Sequence, residues 1–133
     1  HFHQYIGITL ENIGLDMVTA QFSMKDELIG NESKMILHGG IISTVFDAVG
    51  GMMAMCSAVD KMIDLSTEEI SSRVRNLGTI SLHVDFLRPG RGEWFEVICR
   101  TTRCTNKVVF INGELKNNSG ELIAVANNTY YYP

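Results

Sequence analysis

The stretch LHGGIISTVFDAVGGMMAM, Leu37–Met55, decides how the rest of this chain is read. Its apolar residues come too densely for a half-exposed helix, which predicts a helix from about Gly40 to Lys61 buried on all sides. Asp47 nevertheless sits near its middle. An ionised carboxylate without partners is very costly to bury. Asp47 must therefore face a polar pocket, a partner chain or solvent; capping a neighbouring element or pairing with an arginine would satisfy it without any chemistry. Gly50 and Gly51 follow, each about 1 kcal/mol worse than alanine inside a helix. Something must approach closely there, either a crossing backbone or a ligand chain. Ahead of the helix stands His38-Gly39-Gly40. First-turn N–H groups lack partners and carry the positive end of the helix dipole. Glycines let a ligand come close to them, so this turn can hold a developing oxyanion. A tight turn into the helix would use the same glycines.

The length of Ile41–Val59 is almost that of a membrane span. A mid-helix aspartate costs about 2.5–3.5 kcal/mol on insertion scales, and Gly50, Gly51 and Ser57 dilute the hydrophobicity. A helix buried in a protein core is the better reading, with no membrane as partner.

Outward from the helix the pattern is mostly strand. Val18, Ala20, Phe22 and Met24 alternate with polar residues, as a half-buried strand does, after a shorter strand-like piece. KDELIGNESKM reads as a loop or a short turn of helix. Ser66 with Glu69 three residues later predicts a capped polar helix over 66–76. In TISLHVDFL, alternation puts Ile80, Leu82, Val84 and Phe86 on one face, with Thr79, Ser81, His83 and Asp85 on the other. RPGRG carries Pro and Gly where a type II turn wants them. Three further strands follow, joined by short turns and so expected to pair antiparallel. One helix wrapped by one curved antiparallel sheet hides a face of each, an α+β arrangement. The sheet's free edges invite dimerisation.

The 133 residues are read as one domain, 1–133. The chain starts HFHQYIG without methionine or a signal-peptide pattern, so its N-terminal segment is expected to be truncated. His1 and His3 are given no metal role. The net charge of −4 argues against nucleic acid. Three cysteines without a C-x-x-C pair point to a reducing, cytoplasmic setting, with no metal site.

LHGGIISTVFDAVGG followed by GTISLHVDFLRPGRG resembles the hotdog-fold acyl-CoA thioesterases. Within them it is similar to the phenylacetyl-CoA thioesterase (PaaI-like) branch and its YigI-like members. The resemblance runs from about Ile6 to Tyr132, with STEEISSRVRN between the motifs as a branch feature. It implies a helix wrapped by the sheet and hydrolysis of an acyl-CoA to free acid and coenzyme A, without a cofactor. The family's helical carboxylate, nine residues after the motif histidine, falls on Asp47, as nucleophile or as general base for water. Gly39 would polarise the thioester carbonyl through its N–H, with Gly40 beside it and His38 shaping the site. Thr79 corresponds to a hydroxyl residue near the attacking water, and Asn31 to an asparagine upstream of HGG, one residue further away than in some relatives. The site would form between two subunits of a homodimer, or of a dimer of dimers. HGG would come from one subunit, the carboxylate and hydroxyl from the other. Thr79 is in tension with this, since alternation turns it away from Ile80 and Leu82. Either a bulge intervenes or Thr79 reaches the partner's site.

Arg88, Arg91 and Lys107 stand in basic turns able to hold coenzyme A phosphates, although solvated turn charges look the same. Met52, Met53, Met55 and Met62 are mainly core residues, and some could shape an acyl pocket along the helix and the dimer interface. Medium- or long-chain fatty acyl groups are the expected substrates, with aromatic ones as an option. The competing readings are a hotdog dehydratase or hydratase and a non-catalytic acyl-CoA sensor.

Overall fold

The computed structural model describes residues 2–133; His1 lies outside the described residues. A short helix α1 (Phe2–Ile6) leads into strands β1 (Thr9–Ile13) and β2 (Val18–Ser23). A 3-10 turn over Asp26–Leu28 and a small hairpin, β3 (Ile29–Asn31) with β4 (Ile36–Leu37), fill the expected loop. Helix α2 spans Gly39–Lys61 and α3 spans Thr67–Arg75. Strands β5 (Gly78–Phe86), β6 (Trp94–Cys104), β7 (Val108–Asn117) and β8 (Leu122–Tyr131) complete the chain. Six strands form one antiparallel sheet in the order β1-β2-β6-β7-β8-β5. The long helix cradled in this curved sheet is the hotdog arrangement.

Alternation explains the burial. Val18, Ala20 and Phe22 of β2, Phe95, Val97 and Cys99 of β6, and Val109, Ile111 and Leu115 of β7 all point at α2 and are buried. The helix answers with Val45, Phe46, Val49 and Met53. Phe46 sits where the sheet carries Gly113, whose added Cβ would lie 2.9 Å from the ring. A helix with the length and apolarity of a membrane span is thus packed against the sheet. α3 begins as expected: the Ser66 hydroxyl accepts from the Glu69 N–H at 3.2 Å.

The sequence reading needs correction in three places. Ile80 does not share a face with Leu82, because the β5–β8 register slips between Thr79 and Ser81. Thr79 pairs with Tyr130 and Leu82 with Asn128, so Ile80 is the extra residue of a bulge and Thr79 turns inward. The RPGRG turn is not type II, because the positive φ falls on Gly92 (154°) and not on Gly90. Gly90 is instead pressed against Leu37, where an added Cβ would stand 3.0 Å from the leucine. Finally, what approaches Gly50 is neither backbone nor ligand. An added Cβ there would lie 2.6 Å from both the Tyr130 hydroxyl and the Asn128 amide nitrogen.

Gly51 differs, since its added Cβ would meet only Tyr130 Cε1 at 3.7 Å. Denaturant unfolding should separate the two. Gly51→Ala should gain about 0.5–1 kcal/mol from helix propensity. Gly50→Ala should lose stability, because overpacking costs about 1–3 kcal/mol and outweighs that gain.

Candidate active site

The helix start shows which N–H groups are free. His38 is the N-cap, and its Nδ1 accepts from the Gly40 N–H at 2.8 Å. Acceptance there needs an unprotonated Nδ1, so a neutral ring carries its proton on Nε2. The N–H groups of Ile41 and Ile42 turn back to the His38 carbonyl at 3.0 and 3.4 Å. The Gly39 N–H has no hydrogen-bond partner among the described residues. It is the open donor of this turn, while that of Gly40 is occupied. Gly39 lies against the Phe86 ring, in a cavity of about 350 Å³ that Leu37, Ile42, Arg88 and Gly90 also line.

Asp47 is half-buried on the side of α2 that faces β5 and β8. The Thr79 hydroxyl donates to its Oδ1 at 2.7 Å. The Tyr130 hydroxyl lies 3.0 Å from the Asp47 carbonyl oxygen and 3.4 Å from Oδ1. Oδ2 has no donor among the described residues. Both hydroxyls thus gather on one carboxylate oxygen and leave the other facing outward. Burial pushes the Tyr130 phenol well above its ordinary range, so it remains a protonated donor. Asn128 supports it: its amide nitrogen lies 3.1 Å from both the Tyr130 hydroxyl and the Phe46 carbonyl. The Asn128 Oδ1 is buried without a partner among the described residues.

The bulge at Ile80 resolves the position of Thr79, which reaches Asp47 of its own chain. Asn31 does not join this group. Its Oδ1 accepts from Ser33 at 2.8 Å, and it is Gly30 that lies against His38. Arg88 stands at the Gly39 end, 3.2 Å from Glu121, whose carboxyl is held below its usual range by Asn117 and Arg88. Arg91 reaches the Lys34 carbonyl at 3.5 Å. Lys107 lies at the other end of α2, in a cavity with Lys61 and Arg73. No group of three or more His, Cys, Asp or Glu among the described residues is placed to hold a metal.

Tyr130 and Asn128 are the residues sequence reasoning missed. Their signal was present: they continue the inward positions of Ala124 and Ala126, where a polar side chain needs a buried partner. Tyr130→Phe deletes one hydroxyl that serves both Asp47 and Asn128. It should cost about 1–3 kcal/mol in urea unfolding, with the fold otherwise unchanged by circular dichroism.

One chain alone leaves the site divided. Gly39 and Asp47 are eight residues apart on one helix, about 12 Å along its axis. Their groups cannot both touch one carbonyl within a single subunit.

Comparison with known proteins shows the family. The profile of the Thioesterase superfamily matches residues 35–124. The chain is 35% identical over 129 residues to the medium/long-chain acyl-CoA thioesterase YigI of Escherichia coli (strain K12), covering 97% of this chain and 83% of that protein. A crystal structure from Shewanella oneidensis, of a protein related to the thioesterase superfamily, superposes with a TM-score of 0.93 at 40% identity, over 99% of this chain and 86% of that one. The Escherichia coli PaaI protein from the phenylacetic acid degradation operon shares the fold, with a TM-score of 0.79 at 12% identity over 99% and 83% of the two chains. With most of its length matched by the profile and nearly all of it by close relatives, the chain belongs to the thioesterase superfamily and is one of its hotdog enzymes of thioester hydrolysis.

Proposed function

We propose that this protein hydrolyses medium- or long-chain acyl-CoA to a free fatty acid and coenzyme A, in sites shared between two subunits. The observation that carries the reading is the Asp47 carboxylate, held on Oδ1 by Thr79 and open on Oδ2. Oδ2 takes a proton from water as the water oxygen attacks the thioester carbonyl. The negative charge that develops on the carbonyl oxygen is met by the Gly39 N–H of the partner subunit. Collapse of the tetrahedral intermediate breaks the carbon–sulfur bond, and the coenzyme A thiolate takes the proton that Oδ2 had accepted, which restores the Asp47 carboxylate. No cofactor is needed for these steps. The likeness to a relative named for medium/long-chain acyl-CoA supports the substrate class.

The form of β5 supports the shared site. It is an edge strand of nine residues, and Ile80, Leu82 and Phe86 on it are exposed. A second copy paired antiparallel about a two-fold axis at His83 sets residue 86 opposite residue 80. Gly39 packs on Phe86, and Thr79 adjoins Ile80. Such pairing therefore carries one subunit's open N–H toward the other's Asp47. It also carries one subunit's Arg88 and Arg91 toward the end of the other's sheet where Lys107 stands, a basic rim suited to coenzyme A phosphates.

Thiol release from acyl-CoAs of increasing length, with phenylacetyl-CoA included, tests the activity. Asp47→Ala should lower kcat by about 10²–10⁴-fold, and a wild type that releases no thiol from the series would overturn the reading. Sharing is tested by mixing. Gly39→Pro removes the N–H at a position where proline suits a helix, and His38 before it is already extended (φ −65°, ψ 132°). Gly39→Pro and Asp47→Ala should each be nearly inactive alone. Co-expressed, they should recover about a quarter of wild-type activity, since about half the dimers are mixed and each of those holds one intact site. A site confined to one chain would recover none.

A further inference from the structure

Asp47 begins a row of every fourth residue along α2: Asp47, Gly51, Met55, Val59. Each step rises about 6 Å and turns about 40° around the helix. The row therefore winds from the side facing β5 across the outer face of α2 toward the β1–β2 hairpin. After Asp47 it carries no charge and no hydrogen-bonding side chain. Gly51 leaves a gap one turn past the carboxylate. Met55 is 36% exposed on a helix whose Met53 is fully buried. The row ends in a mostly apolar cavity of about 420 Å³, lined by Met55, Val59, Ile63 and Leu15 of the β1–β2 turn, with Asp60 also on its lining. Leu15 and Ile63 are 59% and 68% exposed, so two large aliphatic side chains border this cavity uncovered.

We propose that the acyl chain leaves Asp47 along this row, and that Met55 and Leu15 at its far end set the preference for long chains. The proposal rests on the acyl-CoA reading above and adds the path and its end. Length supports the occupant. Two acyl chains end to end make up a bilayer core of about 30 Å, so one long chain measures about 15 Å. From Asp47 the row reaches Met55 in about 12 Å and Val59 in about 18 Å. A long chain thus ends in the Leu15 cavity, whereas a medium chain stops short of it. Methionine suits the boundary, because its flexible thioether adapts to chains of different length and shape.

The test compares kcat/KM for butanoyl-, octanoyl- and hexadecanoyl-CoA in wild type, Gly51→Leu and Leu15→Asp. A buried methylene is worth about fourfold. Gly51→Leu should therefore lower the octanoyl-to-butanoyl ratio by about tenfold or more. Leu15→Asp, on an exposed position that tolerates a charge, should lower the hexadecanoyl-to-octanoyl ratio by a similar factor. Both ratios staying within about twofold of wild type, with acyl-CoA still cleaved, would overturn the path and leave the thioesterase reading standing. Binding of free hexadecanoic acid by calorimetry gives a readout independent of turnover. If no acyl-CoA is cleaved, weaker binding in Leu15→Asp still supports the path, and equal binding overturns it.

Discussion

The Tyr130 hydroxyl can lie beside Asp47 only because residue 50 has no side chain. That contact organises the molecule. It sets how closely β8 approaches α2, brings a buried donor to the helix carboxylate, and lets Asn128 reach the Phe46 carbonyl. A larger residue at 50 would lift the helix from this side of the sheet, and Thr79 on β5, the next strand out, would lose its reach. The glycine that weakens the helix as a helix is what seats it, a local cost accepted for a tertiary contact.

Much of this was legible in the chain. The density of apolar residues in Leu37–Met55 implied a buried helix, and Asp47 within it implied polar neighbours, because an ionised carboxylate needs partners. Alternation located β2 and the last four strands, and the Ser66 cap located α3. Other features were illegible for physical reasons. A bulge adds one residue without altering composition, so period-two reading put Thr79 on the wrong face. Asn128 and Tyr130 continue a legible inward face, but the groups they meet on α2 lie far away in the chain and follow only from the packing. The Pro–Gly pair in RPGRG satisfies a type II turn locally, yet contact with Leu37 decides the backbone there.

The hydrogen bonds at the start of α2 sharpen the family resemblance. HGG offers several N–H groups on paper. His38 takes one, and its carbonyl takes two more, so that among the described residues only the Gly39 N–H of this turn has no partner. The histidine therefore acts by selection among donors. The helix then holds this donor and the carboxylate about 12 Å apart, a spacing that no side-chain rotation closes. The hydrolysis proposed above therefore draws its two groups from two copies of the chain.

The β5 edge has a meaning for the newly made chain as well. β5 is paired with β8 on one side only, and its outer edge, with Ile80, Leu82 and Phe86 exposed, is the kind that accepts an extended strand. Left uncovered, the folded subunit is exposed to off-target strand pairing and fibrous association. Rapid self-pairing would then protect solubility in the cell, and any change that slowed it would show first as lost protein and only later as lost turnover.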